Sequence, residues 1–306
     1  MKTRIGLTAL LLSALSLGVS AADLVIGDQR GNARAVMEAA GALEGLNYKV
    51  EWREFPNAAP LLEALRAGYL DGGMVGEAPL TFAAAAGLEA KAVQASSYLG
   101  NALIIGADAR IASVADLKGK KIAAVRGSSG QALALNALAR AGLTPADVTF
   151  INSTPAEATL ALSNGSVDAV ATWEPYVSFA VKQSGAKILA DGKDYPSLNY
   201  FVAANTALGS KHAELKDFAE RLAKARAWGA SHPQPYAQSI ASLLKLPEDV
   251  ALGKVQREVN TPETSLATVR TLQQATIDLY QREGLIPQAF AADSVIDVAF
   301  FEAPKP

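Results

Sequence analysis

A chain of 306 residues with a formal net charge of −2 is long enough for two domains of ordinary size and too near neutrality to suit a nucleic-acid partner. Half of its residues are hydrophobic and 19% are charged, which excludes a disordered chain. With no cysteine and only His212 and His232, thiol chemistry and a Cys/His zinc site are excluded, and no metal or other cofactor is expected.

The first residues read as a targeting segment. Lys2 and Arg4 form a positive start, residues 7–17 an apolar core of signal-peptide length, and Val19-Ser20-Ala21-Ala22 a small-residue cleavage site. That core is too short to span a bilayer, no later run reaches such a length, and no Cys stands at the cleavage point to carry a lipid. Cleavage is expected after Ala21 or Ala22, leaving an exported, soluble chain that starts near Asp23.

From there strands alternate with helices. Residues 24–27 read as a strand, 33–43 as a helix, 49–55 as a strand, 60–68 as a helix and 70–75 as a third strand, closed by Gly76-Glu77-Ala78-Pro79. A helix over 80–86 and strands at 91–97 and 102–106 come next. This alternation implies parallel α/β architecture. Further on, Ile122-Ala123-Ala124-Val125 reads as a strand, Arg126-Gly127-Ser128-Ser129-Gly130-Gln131 as a tight turn, and 132–140 as a helix that stops at Gly142. The first amides of such a helix lack internal partners, and the macrodipole makes that end positive. With two hydroxyls added it offers a seat for a small anion. An ordinary Ser-capped turn has the same letters. It is not a phosphate P-loop, because no Lys follows the second Gly where one is required.

The same order recurs. Gly68, Asp71 and Glu77 return as Gly165, Asp168 and Glu174, each 97 residues on. Arg30-Gly31 returns as Arg126-Gly127 after 96 residues, and Val50 and Asn101 return as Val148 and Asn199 after 98. We read two α/β lobes built alike, over roughly 24–106 and 122–204, facing one another across a cleft. The domain expectation is a signal peptide at 1–22, a first part of lobe one at 23–106, lobe two at 107–204 and a helical return to lobe one at 205–306. Ligands of open α/β sheets sit beyond the carboxyl ends of the strands. The turns at such ends fall at 29–32, 76–79, 126–131 and 172–176. Asn101 and Asn199 mark the expected chain crossings between lobes. In the last third, residues 214–228 form an amphipathic helix with Leu215, Phe218, Ala219, Leu222 and Ala225 on one face. Pro233, Pro247 and Pro262 punctuate the helices after it, and 263–282 reads as the longest helix, ended by Gly284.

At this point the residues resemble a known family. Gly27-Asp28-Gln29-Arg30-Gly31, Glu54-Phe55-Pro56, Leu61-Leu62-Glu63-Ala64-Leu65 with Gly68 and Asp71, and Gly76-Glu77-Ala78-Pro79 are similar to periplasmic aliphatic-sulfonate-binding proteins. So are Ala115-Asp116-Leu117-Lys118-Gly119-Lys120-Lys121 with Arg126-Gly127-Ser128-Ser129, and Thr172-Trp173-Glu174-Pro175-Tyr176. These belong to the nitrate/sulfonate/taurine group of ABC-importer solute-binding proteins, and the resemblance covers nearly the whole mature chain. It implies a two-lobed type II periplasmic binding fold, a monomeric carrier in the periplasm rather than an enzyme, and docking onto a membrane permease with its ATPase. Relatives often have Asp at the positions of Glu77 and Glu174 and Lys at those of Arg30 and Arg126. An Arg forks onto two oxygens where a Lys cannot.

The expected ligand-binding residues are Gln29, Arg30, Glu77, Arg126, Gly127, Ser128, Ser129, Trp173 and Glu174. Ser128 and Ser129 contact the anion, Gln29 donates its amide to a sulfonate oxygen, and Trp173 walls the organic part. A carboxylate repels an anion. Glu77 and Glu174 are therefore expected to pair with Arg30 or Arg126, to meet an ammonium on the ligand, or to cap helices. A glycosidase reading of the two carboxyls lacks a sugar platform of aromatics. Alternatives for the carrier are taurine, nitrate or a sulfate ester. Alternatives of another class are a pyrimidine-precursor synthase of the same fold and a receptor's sensory module. The last has no transmembrane segment to attach it.

Overall fold

The computed structural model describes residues 23–258, 260–263 and 265–302. The signal-peptide expectation lies outside them. In chain order the first lobe brings β1 (Leu24–Gln29), α1 (Arg34–Ala39), β2 (Val50–Phe55), α2 (Ala58–Arg66), β3 (Gly72–Gly76), α3 (Glu77–Ala85) and β4 (Ala90–Tyr98). The chain then crosses to β5 (Ala102–Ile105), β6 (Lys121–Ala124), α4 (Ser129–Arg140), β7 (Thr149–Asn152), α5 (Pro155–Ser163), β8 (Ala169–Thr172), α6 (Tyr176–Ser184) and β9 (Lys187–Asp191). It returns through β10 (Ser197–Ala204) and ends in α7 (Asn205–Ser210), α8 (His212–Ser231), α9 (Pro233–Leu244), α10 (Glu248–Glu258), β11 (Thr261–Glu263), α11 (Leu266–Arg282) and α12 (Val298–Glu302).

The duplication read from residue spacing is present in the strand order. One sheet runs β11-β4-β10-β3-β1-β2 and the other β7-β6-β8-β5-β9. Apart from the extra edge strand β11, the two are wired alike. The first strand of each repeat lies parallel between its second and third, and one antiparallel strand separates that trio from the fourth. Asp71 and Asp168 do the same job in each, accepting the amides of Val25 and Lys121 at 2.8 Å.

The antiparallel strand is where the sequence reading of the domains is corrected. That reading places residues 102–106 and 197–204 each with the lobe they follow. Instead β5 pairs with β8 and β9 of the second sheet, and β10 with β3 and β4 of the first. The crossings therefore fall at 99–101 and 192–196. Asn101 sits in the first, whereas Asn199 lies inside β10 opposite Gly76. The two crossings touch: Gly192 donates to the Asn101 carbonyl at 2.9 Å, and a Cβ on Gly192 would strike the Leu99 carbonyl.

The helical end of the chain covers the first lobe. Helix α8 packs on α1 and β4, α9 on α1, and α11 on α3 and β10. Phe218 of α8 sits between Phe201 and Trp52, with ring centroids at 4.9 and 5.9 Å. Helices α10 and α11 also reach the second lobe, α10 packing on α6 and α11 on α4. Pro262, read as punctuation, stands in β11, at a sheet edge where a missing amide costs no ladder bond. No described helix is long and apolar enough to cross a membrane.

Candidate ligand-binding site

The site grows out of the carboxyl end of β6. Gly127 adopts φ +75°, and a Cβ there would lie 2.7 Å from the Phe82 ring, so only glycine turns the chain here. Ser128 is the N-cap of α4, and its Oγ accepts from the Gln131 amide at 3.2 Å. Gln131 reaches back with Oε1 to accept from the Gly127 amide at 2.7 Å. The turn is thus braced from both sides, while the first-turn amides of Ser129 and Gly130 have no carbonyl of the same helix to bind. The helix is Ala- and Leu-rich and twelve residues long, so its dipole is well supported.

Between the lobes lies a cavity of about 190 Å³. Of the residues named from the sequence, Gln29, Arg126, Gly127, Ser128, Ser129, Trp173 and Glu174 line it. Arg126 is exposed at its mouth, with its guanidinium 5.9 Å from the centre of the Phe82 ring. Trp173 is half-buried and meets Tyr176 edge-on at 6.0 Å. Gln29 spends one amide hydrogen within the protein, donating to the Met74 carbonyl at 2.6 Å, and keeps the other.

Two expected residues stand elsewhere. Arg30 is exposed, 5.6 Å from the Tyr176 ring and outside the cavity wall. It packs beside a contact between the lobes, where the Tyr176 hydroxyl reaches the Pro56 carbonyl at 3.5 Å. Glu77 is buried and turned to β10, where its Oε2 accepts from the Leu198 amide at 2.9 Å. Burial pushes its carboxyl up to about 7, against the pull of that amide. Neither lines the cavity.

Glu174 is on the wall, but its charge is already matched. Its partner is Arg257 of α10, not Arg30 or Arg126. Arg257 Nε lies 2.8 Å from Glu174 and Nη1 lies 2.7 Å from Asp191, which ties the end of the chain to the second lobe. Glu174 also accepts from the Ser178 amide at 3.2 Å. Burial nevertheless holds its carboxyl above the usual range.

Sequence reasoning missed the polar base of the cavity. Lys254 and Glu258 of α10 form a buried pair at 2.7 Å, and the Tyr236 hydroxyl donates to Glu258 at 3.2 Å. Arg226 of α8, also buried, donates to Gln94, Ser96 and Asn32, and Asn199 donates to Asn32 at 2.8 Å. From sequence, a Lys–Glu pair four apart reads as a solvated helix face, and only the burial of α10 against both lobes makes it internal. The apolar wall formed by Pro79 and Phe82 was more accessible, since the two share one face of α3. Among the described residues no group of three His, Asp or Glu gathers as a metal would need.

Two like-wired α/β lobes joined by touching crossings, with a capped helix start opening on the cavity between them, define the class: a two-lobed periplasmic-binding-protein-like fold. The chain belongs to the family described as NMT1/THI5-like, whose profile matches residues 44–235. It is 33% identical over 290 residues to the putative aliphatic sulfonates-binding protein of Escherichia coli (strain K12), covering 92% of this chain and 91% of that one. Its structure is similar to that of the periplasmic aliphatic sulphonate binding protein SsuA from Escherichia coli, with a TM-score of 0.79, 32% identity, and 90% and 91% of the two chains covered. It is also similar to the alkanesulfonate-binding protein SsuA from Xanthomonas axonopodis pv. citri bound to MOPS, with a TM-score of 0.80, 29% identity, and 89% and 97% covered.

Proposed function

We propose that this protein is the solute-binding component of an ABC importer. Exported to the periplasm, it captures a small organosulfonate as a monomer and delivers it to a membrane permease driven by an ATPase. The observation that carries this reading is the start of α4, where Ser128, Ser129 and the first-turn amides open on the cavity with Arg126 beside them. A sulfonate is ionised at any ordinary pH and its three oxygens only accept hydrogen bonds, which suits a wall of donors. The names of the relatives support the same ligand class. The acid–base chemistry of an enzyme finds little footing here. Glu174 is bound to Arg257, Glu77 lies off the cavity, and the chain has no thiol.

The test is calorimetry with ethanesulfonate and ethylphosphonate, beside thermal shifts with taurine, nitrate and ethyl sulfate. A phosphonate monoanion carries a proton that the donors at the start of α4 leave unmet, at a cost of about 1–3 kcal/mol. Ethanesulfonate should therefore bind about tenfold to a hundredfold tighter than its phosphonate match. At a hundred times its dissociation constant it should add about 2.7 kcal/mol of apparent stability. Equal affinity for the two anions, or nitrate binding tighter than any sulfonate, would overturn the reading.

A further inference from the structure

A second cavity of about 190 Å³ opens on the first lobe between α8, α9 and α10. Its floor is apolar, made of buried Val36, Tyr236 and Val255, and exposed Ala230 and Pro233 form its mouth. Glu258 lines both this cavity and the interlobe one, so the two stand back to back. Arg226 lines this cavity and not the other. It is 3% exposed, and burial lowers it to about 10, so it keeps its charge at neutral pH. A buried charge is costly unless an opposite charge and hydrogen bonds offset it. The partners of its Nη groups are all neutral: Gln94 at 3.1 Å, Asn32 at 3.2 Å, the Met74 sulfur at 3.7 Å and the Ser96 hydroxyl. None of these four lines the second cavity. The remaining Nε–H is buried and has no partner among the described residues. The buried carboxylates nearby are already engaged. Glu258 is held by Lys254 at 2.7 Å and by the Tyr236 hydroxyl, and Asp28 by the amides of Ala33 and Arg34. One N–H of a buried guanidinium is thus left toward a cavity with an apolar floor.

We propose that this cavity is a second binding site, for a short-chain carboxylate. One carboxylate oxygen accepts from Arg226 Nε and supplies the opposite charge that the other partners lack, while a methyl or ethyl group rests on Val36 and Val255. A single water would satisfy the Nε, but the cavity is far larger than one water needs. Phosphate or sulfate suits it poorly, because a doubly charged anion needs several donors and would face Glu258 on the wall. The site is separate from the seat at α4 and independent of the sulfonate reading.

The test is thermal unfolding in sodium acetate against sodium gluconate at equal ionic strength, with ethanesulfonate saturating so that the seat at α4 is taken. Gluconate carries the same charge on a tail too long and too polar for the floor. Acetate should raise the unfolding midpoint saturably, with a dissociation constant on the order of 1 mM, and gluconate should not. Ala230→Trp lays a ring across the exposed mouth, and should abolish the acetate gain while leaving ethanesulfonate affinity as it was. Arg226→Met removes the donor and should abolish the gain as well; if its buried position keeps that variant from folding, Ala230→Trp decides the matter alone. Equal midpoints in acetate and gluconate for the wild type, or an acetate gain that survives Ala230→Trp, overturn the site. If ethanesulfonate does not bind, the sulfonate reading fails, and loss of the acetate gain in Ala230→Trp still supports this site.

Discussion

In the first lobe β1 runs through residues 29–32 into α1, and in the second β6 runs through residues 126–128 into α4. Arg30-Gly31 and Arg126-Gly127 hold the same places in these two turns, and all four lie at or beyond the carboxyl ends of their strands. Their helix starts have opposite fates. In the first lobe, buried Asp28 accepts from the amides of Ala33 and Arg34, both at 3.0 Å. Burial raises its carboxyl above the ordinary range although those amides pull it down. An internal carboxylate therefore fills the anion seat of α1. At the matching place before α4 stands Ala124, also buried, with no charge to offer. One residue, Asp or Ala, separates a helix start met by a carboxylate from within the fold from one that has none.

The largest effect should come from making the second turn like the first. Ala124→Asp puts a carboxylate into the proposed seat, and sulfonate affinity should fall on the order of a thousandfold, about 4 kcal/mol, by calorimetry. Unchanged affinity would separate the two turns and break the comparison.

Glu77 and Glu174 sharpen it, being equivalent carboxyls with unequal partners. Glu174 has Arg257, whereas Glu77 has the Leu198 amide. With its folded value raised from 4.5 to about 7, Glu77 adds stability that is complete below pH 4.5 and lost as pH rises through 7. The loss is about 3 kcal/mol at 1.36 kcal/mol per unit. Urea unfolding at pH 5 and pH 8 should show the wild type losing about that much more than Glu77→Gln. Glu54, also raised to about 7 by burial, titrates in both proteins and cancels in the difference.

Asp28→Ala tests the first turn from its own side. Two amides lose their acceptor, partly offset by removal of a costly buried carboxylate, so stability should drop by about 2 kcal/mol in urea unfolding. The smallest change concerns the contact between lobes at the seat itself. The buried Tyr280 hydroxyl, on α11 of the first lobe, donates to the Ser128 carbonyl at 3.0 Å. Tyr280→Phe should weaken ethanesulfonate binding about fivefold, or about 1 kcal/mol, chiefly through faster release measured by stopped flow.

Much of this protein was determined locally and so could be read in order. The alternation of strand and helix, the repeat spacing of Arg30/Arg126 and Glu77/Glu174, and the Ser128 cap of α4 all depend on neighbours within a few residues or on identity at a constant distance. The resemblance to sulfonate-binding proteins rests on such short runs as well. Tertiary structure alone decided which sheet β5 and β10 join, because an apolar strand reads the same whichever sheet it enters. It decided that Arg257, 83 residues beyond Glu174, would be that residue's partner, and that Arg30 would pack on Tyr176 outside the cavity. It turned Lys254 and Glu258 from a surface pattern into a buried pair. A charge acquires its meaning from what surrounds it after folding, and its solvation and its partner are both set by residues far away in the chain.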